Sequence, residues 1–200
     1  MLRLHDCLVS GNGYKVRLLL AQLGIAYERV EYDIEHGATR TPAFLALNPN
    51  GRIPLLERGD GTTLAESNAI QWFLAEGTRF LPEAPFERAQ VLQWMFFEQY
   101  SHEPYIAVVR YWAHTDQLEA RAARVPAMRE RGHEALAVME KHLSRRPFFV
   151  GDRYTIADIA LYAYTHVAHE GGFELSGYPE LRAWLGRVAA QDGHIPITEG

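Results

Sequence analysis

Hydrophobic period changes near residue 77 of this chain and does not change back. Before that point, segments of strand and helix character alternate; after it, every periodic segment is helical. Residues 1–6 alternate apolar and polar side chains, as a half-buried strand does. Ser10-Gly11-Asn12-Gly13 reads as a loop that caps a helix over 14–23, which Gly24 stops. Residues 27–32 read as a second strand. A short helix over 42–47 follows, then the turn Asn48-Pro49-Asn50-Gly51 and a third strand over 54–58. Gly59-Asp60-Gly61 turns the chain into a hairpin with 62–64, and 66–75 is helical.

This order predicts a small α/β layer whose first βαβ unit supplies one parallel strand pair. Pro82 and Pro85 flank Glu83-Ala84 in a linker over 78–86. Beyond it, two long amphipathic segments are expected, over 87–115 and 125–143, with shorter helices starting near Thr155 and Tyr178. The fold class is therefore α/β plus all-α: domains 1–77 and 87–200, the second a helical bundle.

Composition narrows the function. A net charge of −5 with no lysine- or arginine-rich run argues against nucleic acid and anionic membranes as partners, since both need a basic patch. No apolar stretch approaches the roughly 20 residues that a bilayer demands. The N-terminus has no export-signal pattern. The one cysteine, Cys7, cannot form an internal disulfide, which fits a reducing cytoplasm. Cys7 itself reads as a strand-end core residue.

Three short motifs can carry chemistry, and each also has a purely structural explanation. A proline opening a strand at Ile53-Pro54 is a place where a cis bond is tolerated, although a trans proline fits as well. A cis bond would leave the Ile53 backbone free to pair with a peptide-like ligand. Glu66-Ser67 opens a helix, where unpaired N–H groups attract a carboxylate. The Ser67 hydroxyl adds a donor and the Glu66 carboxylate suits an ammonium group, so the pair fits an amino-acid head. Plain capping explains it too. Ser10 and Asn12 stand at the start of the first helix, where a thiolate is stabilised by the dipole and by hydrogen bonds. Lowering a thiol pKa from roughly 8.5 by about two units needs ~2.7 kcal/mol. Two hydrogen bonds to a charged acceptor, at about 1.5–3 kcal/mol each, cover that. Capping alone explains the loop equally well.

Taken together, the order and spacing of these motifs resemble the cytosolic glutathione transferases along the whole chain. The resemblance rests on Ser10-Gly-Asn-Gly-Tyr-Lys-Val-Arg17, Asn48-Pro-Asn-Gly-Arg-Ile-Pro54, Ala65-Glu-Ser67 and Gly151-Asp-Arg-Tyr-Thr-Ile-Ala-Asp158. It implies a thioredoxin-like first domain and glutathione as a cosubstrate, with no covalently bound cofactor. Ser10 matches the thiol-activating position and Asn12 its neighbour. Arg52, and Thr39 beyond it, match the glycine end of the tripeptide. Ile53, with Pro54 cis, matches the partner of the cysteinyl backbone, and Glu66 and Ser67 match the γ-glutamyl clamp.

Tyrosine-dependent members carry their tyrosine where this chain reads His5-Asp6-Cys7, and thiol-dependent members carry cysteine where it has Ser10. The chain is thus similar to serine-dependent, bacterial or theta-like branches. The family also implies a cytoplasmic homodimer and a small hydrophobic electrophile as second substrate. His102, Tyr105, Arg110 and Trp112 are expected to face the electrophile pocket. Thr155 and Asp158 form a capping-box variant and are assigned to folding. The histidines show no metal motif. Two other activities remain open on the same fold: a glutathione-dependent disulfide reductase or peroxidase, and a non-enzymatic binding or regulatory role.

Overall fold

A computed structural model describes all 200 residues, Met1–Gly200. The alternating N-terminal segment forms strand β1 (Leu2–Asp6), followed by helix α1 (Gly11–Leu23) and strand β2 (Tyr27–Glu31). Helix α2 (Pro42–Leu47), strands β3 (Leu55–Glu57) and β4 (Thr63–Ala65), and helix α3 (Ser67–Ala75) complete the series. The sheet order is β2-β1-β3-β4. Strands β1 and β2 run parallel, with α1 as the crossover between them, and β3 and β4 are antiparallel. The strand and helix order implied a small α/β layer, and the family resemblance implied that it is thioredoxin-like, as the sheet is.

Helix α1 is buried on nearly every side, from Gly13 through Leu20. It ends as expected at Gly24, whose φ of 64° places it in the left-handed region and whose N–H returns to Leu20 and Ala21. Gly13 has a different reason to be glycine. A Cβ there would lie 1.6 Å from Asp6 Oδ1, so α1 can sit on the end of β1 only without a side chain. Asp6 and Arg17 are fully buried and joined at 2.9 Å. Burial pushes the Asp6 carboxyl up to about 6, outweighing the pull of the guanidinium.

The same arginine accounts for one departure from expectation. The helical domain was expected to run over 87–200, but Asp192–Gly200 belongs with Met1–Thr78, and the second compact unit is Arg79–Gln191. Arg17 donates to the carbonyls of Leu8, at 2.6 Å, of Ile197, at 3.0 Å, and of Glu199. The Tyr14 hydroxyl donates to the Ile195 carbonyl at 2.7 Å. Backbone acceptors of the final residues thus satisfy two buried donors on α1, a relationship that leaves no trace in hydrophobic period.

The second unit holds helices α4 (Pro85–Phe97), α5 (Glu103–His114), α6 (Val125–Leu143), α7 (Ile156–Thr165) and α8 (Pro179–Ala189). The single long segment expected over 87–115 is instead two helices, separated by a π-turn at Glu98–His102. Pro104 supplies the cause, because it lacks the N–H that would bond the preceding turn and its ring crowds that turn's carbonyl. Helix α7 opens on the capping box Thr155/Asp158. The Asp158 carboxylate also accepts from Phe149 N at 3.2 Å and from Trp184 Nε1 at 2.9 Å, so one buried aspartate ties α7, α8 and the loop before them. No helix is long and apolar enough to cross a membrane.

Candidate functional site

Ser10 is the N-cap of α1. Its extended backbone (φ −72°, ψ 122°) lets Oγ accept the Gly13 N–H at 3.2 Å. Capping uses a lone pair and leaves the hydroxyl proton to donate elsewhere, so the cap and a role toward a ligand are compatible. The neighbouring Cys7 is buried, and burial pushes its thiol up, away from the thiolate a nucleophile needs.

Asn12 lies in the first turn of α1. Its Oδ1 accepts Lys15 Nζ at 2.8 Å and Ser67 Oγ at 3.0 Å. Ser67 is the first residue of α3, so this contact brings the N-termini of α1 and α3 together. Two helix N-termini converging on one point concentrate positive dipole and unpaired N–H groups, a setting for a ligand with more than one anionic group. Lys15 is fully buried in this cluster and was not among the residues singled out from sequence. Its position three residues after Asn12 on one helical face was the available signal.

Glu66, the N-cap of α3, has a φ of 68°, a conformation that a side-chain-bearing residue rarely adopts. Such strain collects at binding sites, where the surroundings hold it in place. The Glu66 side chain is exposed and makes no capping hydrogen bond.

The third part of the cluster is the turn before β3. The Ile53–Pro54 bond is cis. Asn48 is buried and braces this turn, donating to the Arg52 carbonyl at 2.7 Å and accepting from Asn50 N at 3.1 Å. The Arg52 side chain is exposed to solvent. Thr39 is 5% exposed, and its carbonyl lies beside Gly51, where an added Cβ would approach it to 3.1 Å. Thr39 therefore packs two loops together and offers little surface, whereas its neighbour Arg40 reaches the Asn50 carbonyl at 3.1 Å.

The four residues expected at the electrophile pocket each have their own partners within the helical unit. His102 is fully buried, with Nε2 2.9 Å from Thr165 Oγ1. Arg110 is buried and donates to Glu170 Oε2 at 2.5 Å, a carboxylate it shares with His114. Burial alone would push Glu170 up, but His114 and Arg110 outweigh it and hold the group below its ordinary value. Trp112 is buried, with the guanidiniums of Arg121 and Arg124 at 4.9 and 5.2 Å from its ring centre. Tyr105 lines a cleft of about 280 Å³ with Phe97, Tyr100 and Arg131. Aromatic and charged side chains at helical spacing can serve either core or pocket, and spacing alone does not separate the two.

A thioredoxin-like layer with paired helix N-termini, followed by a helical unit, defines the class of protein. The N-terminal domain profile of the glutathione S-transferases matches residues 2–76, and the C-terminal domain profile matches residues 109–187. Glutathione S-transferase 3 of Zea mays is 32% identical over 95% of this chain and 90% of its own length. The disulfide-bond oxidoreductase YfcG of Escherichia coli is 29% identical over 90% of this chain and 86% of its own. Among solved structures, a glutathione S-transferase from Pseudomonas fluorescens is 55% identical, covers 99% of both chains and superposes with a TM-score of 0.97. The glutathione transferase URE2P8 of Phanerochaete chrysosporium, solved with oxidised glutathione, is 27% identical over 96% of this chain and 90% of its own, with a TM-score of 0.86. The chain belongs to the glutathione S-transferase family.

Proposed function

We propose that this chain conjugates the thiolate of glutathione to small hydrophobic electrophiles, as a serine-dependent member of its family. The observation that carries the reading is the Asn12–Ser67 hydrogen bond, which unites the two candidate halves of a glutathione site. In this reading Ser10 and Asn12 donate to the cosubstrate's sulfur. Glu66 and Ser67 hold the γ-glutamyl head, the Ile53 backbone beside Pro54 pairs with the cysteinyl unit, and Arg52 meets the glycine carboxylate with Thr39 nearby. The bound thiolate attacks the electrophile's carbon, the carbon–leaving-group bond breaks, and the leaving group departs with its electron pair. Proximity supplies much of the rate, and a lowered thiol pKa supplies the nucleophile at neutral pH. Tyr105 is the candidate contact to the electrophile. A cytoplasmic homodimer is part of the same proposal.

A second reading, reduction of a disulfide by two glutathiones, is favoured by the similarity to the oxidoreductase YfcG. There the thiolate attacks a disulfide sulfur, releases the other sulfur as a thiolate, and a second glutathione resolves the mixed disulfide. A panel of aromatic halides and mixed disulfides, each assayed with glutathione, separates the two. Conjugation of a halide with no turnover of disulfides supports the transferase; the reverse result replaces it with the reductase.

A further inference from the structure

Asn12 can present either edge of its carboxamide to its neighbours, and its neighbours decide which. Lys15 Nζ lies 2.8 Å from Oδ1 and Ser67 Oγ lies 3.0 Å from it. A hydroxyl both donates and accepts, so Ser67 tolerates either amide orientation. An ammonium has three donors and no acceptor, so it tolerates only the carbonyl edge. If the amide flipped, an N–H₂ group would face an ammonium that is wholly buried, with no water to relieve the clash.

We propose that Lys15 is a positioning residue: it locks the Asn12 carbonyl inward and thereby turns the amide N–H₂ toward the sulfur of bound glutathione. This rests on the reading that Asn12 acts on that sulfur. The lysine also polarises the carboxamide, since a hydrogen bond at the carbonyl strengthens the donor on the opposite edge. It does so without touching the ligand itself.

The test measures the pKa of glutathione's thiol bound to the full chain, from the ultraviolet absorbance of the thiolate. Lys15→Met keeps the length and apolar stem of the side chain and removes the donor. It should raise the bound thiol's pKa by about one unit, which from a starting value of roughly 6.5 leaves about threefold less thiolate at neutral pH. The affinity for S-methylglutathione, which has no thiol to ionise, should stay within about twofold. Lys15→Arg should restore most of the lost thiolate. In an Asn12→Ala background, Lys15→Met should have no further effect on the pKa. If Lys15→Met leaves the pKa unchanged, or shifts it as much in the Asn12→Ala background, the lock does not exist. If Asn12→Ala alone leaves the pKa unchanged, the underlying reading of Asn12 is the part that fails. Should Lys15→Met not fold, Lys15→Gln supplies the test. A side chain that both donates and accepts no longer selects one Asn12 orientation, so the thiol pKa should rise; an unchanged value overturns the proposal.

Discussion

Ser67 donates to Asn12 across 55 residues of sequence, a 3.0 Å hydrogen bond between the first turns of two helices. Neither helix has a reason of its own to hold the other's N-terminus there. Removing the donor with Ser67→Ala should weaken glutathione binding about five- to tenfold, the value of one hydrogen bond of roughly 1–1.5 kcal/mol. Calorimetry on Ser67→Ala, Asn12→Ala and the double variant should give a coupling of at least about 0.5 kcal/mol. Strictly additive losses would mean that the bond contributes nothing to the site.

Glu66 offers a trade between stability and binding. Its φ of 68° strains any residue with a Cβ, so Glu66→Gly should raise unfolding free energy by about 1 kcal/mol. The same change removes the carboxylate proposed to hold the ammonium group, at a cost of about 1.5–3 kcal/mol in glutathione affinity. Urea unfolding and calorimetry on one preparation read both. A variant that gains stability and keeps its affinity would place the γ-glutamyl head elsewhere.

Ser10 is a cap by geometry and an activator by proposal, and two substitutions separate the roles. Ser10→Ala should lose about 1 kcal/mol of stability with the cap, whereas Ser10→Gly should lose only a few tenths. Both lack the hydroxyl, so both should raise the bound thiol's pKa by about one to two units. Their rates with an aromatic halide should fall at neutral pH and recover in part as pH rises. A pH–rate profile like that of wild type in both variants would leave Ser10 a cap and nothing more.

Asp158 makes stability depend on pH in an unusual direction. Burial raises its pKa from 3.8 to about 6, more than its hydrogen bonds lower it. Between about pH 4 and pH 6 the folded chain therefore binds a proton that the unfolded chain does not. The stabilisation is fully present only below the unfolded value of 3.8 and is lost as pH rises through 6. In Asp158→Asn this group no longer titrates, so the gap in unfolding free energy between wild type and variant should change by up to about 3 kcal/mol across that window, moving against wild type as pH rises. A constant gap in urea unfolding at pH 4.5, 5.5 and 7 would show that the carboxylate stays ionised in the fold.

Much of this protein is written in local signals. The strand and helix order of the first part, the helical character of the second, the stop at Gly24 and the Thr155/Asp158 capping box all follow from period, turn residues and caps. These depend on neighbours within a few residues, so they survive in the linear text. Ser10, Glu66 and Ser67 were legible for the same reason, since each sits at a helix start. The break at Glu98–His102 was legible in principle, because Pro104 is local, but an unbroken apolar period concealed it.

Tertiary structure decided the rest, wherever a side chain is satisfied by a distant one. Period cannot say that Arg17 will hold the carbonyls of Ile197 and Glu199, nor that the last residues therefore join the first unit. It cannot say that His102 will meet Thr165, nor that Arg110 will meet Glu170. Nor can it place a buried lysine against Asn12. Buried polar groups must find partners somewhere, and when local backbone cannot supply them the choice belongs to packing.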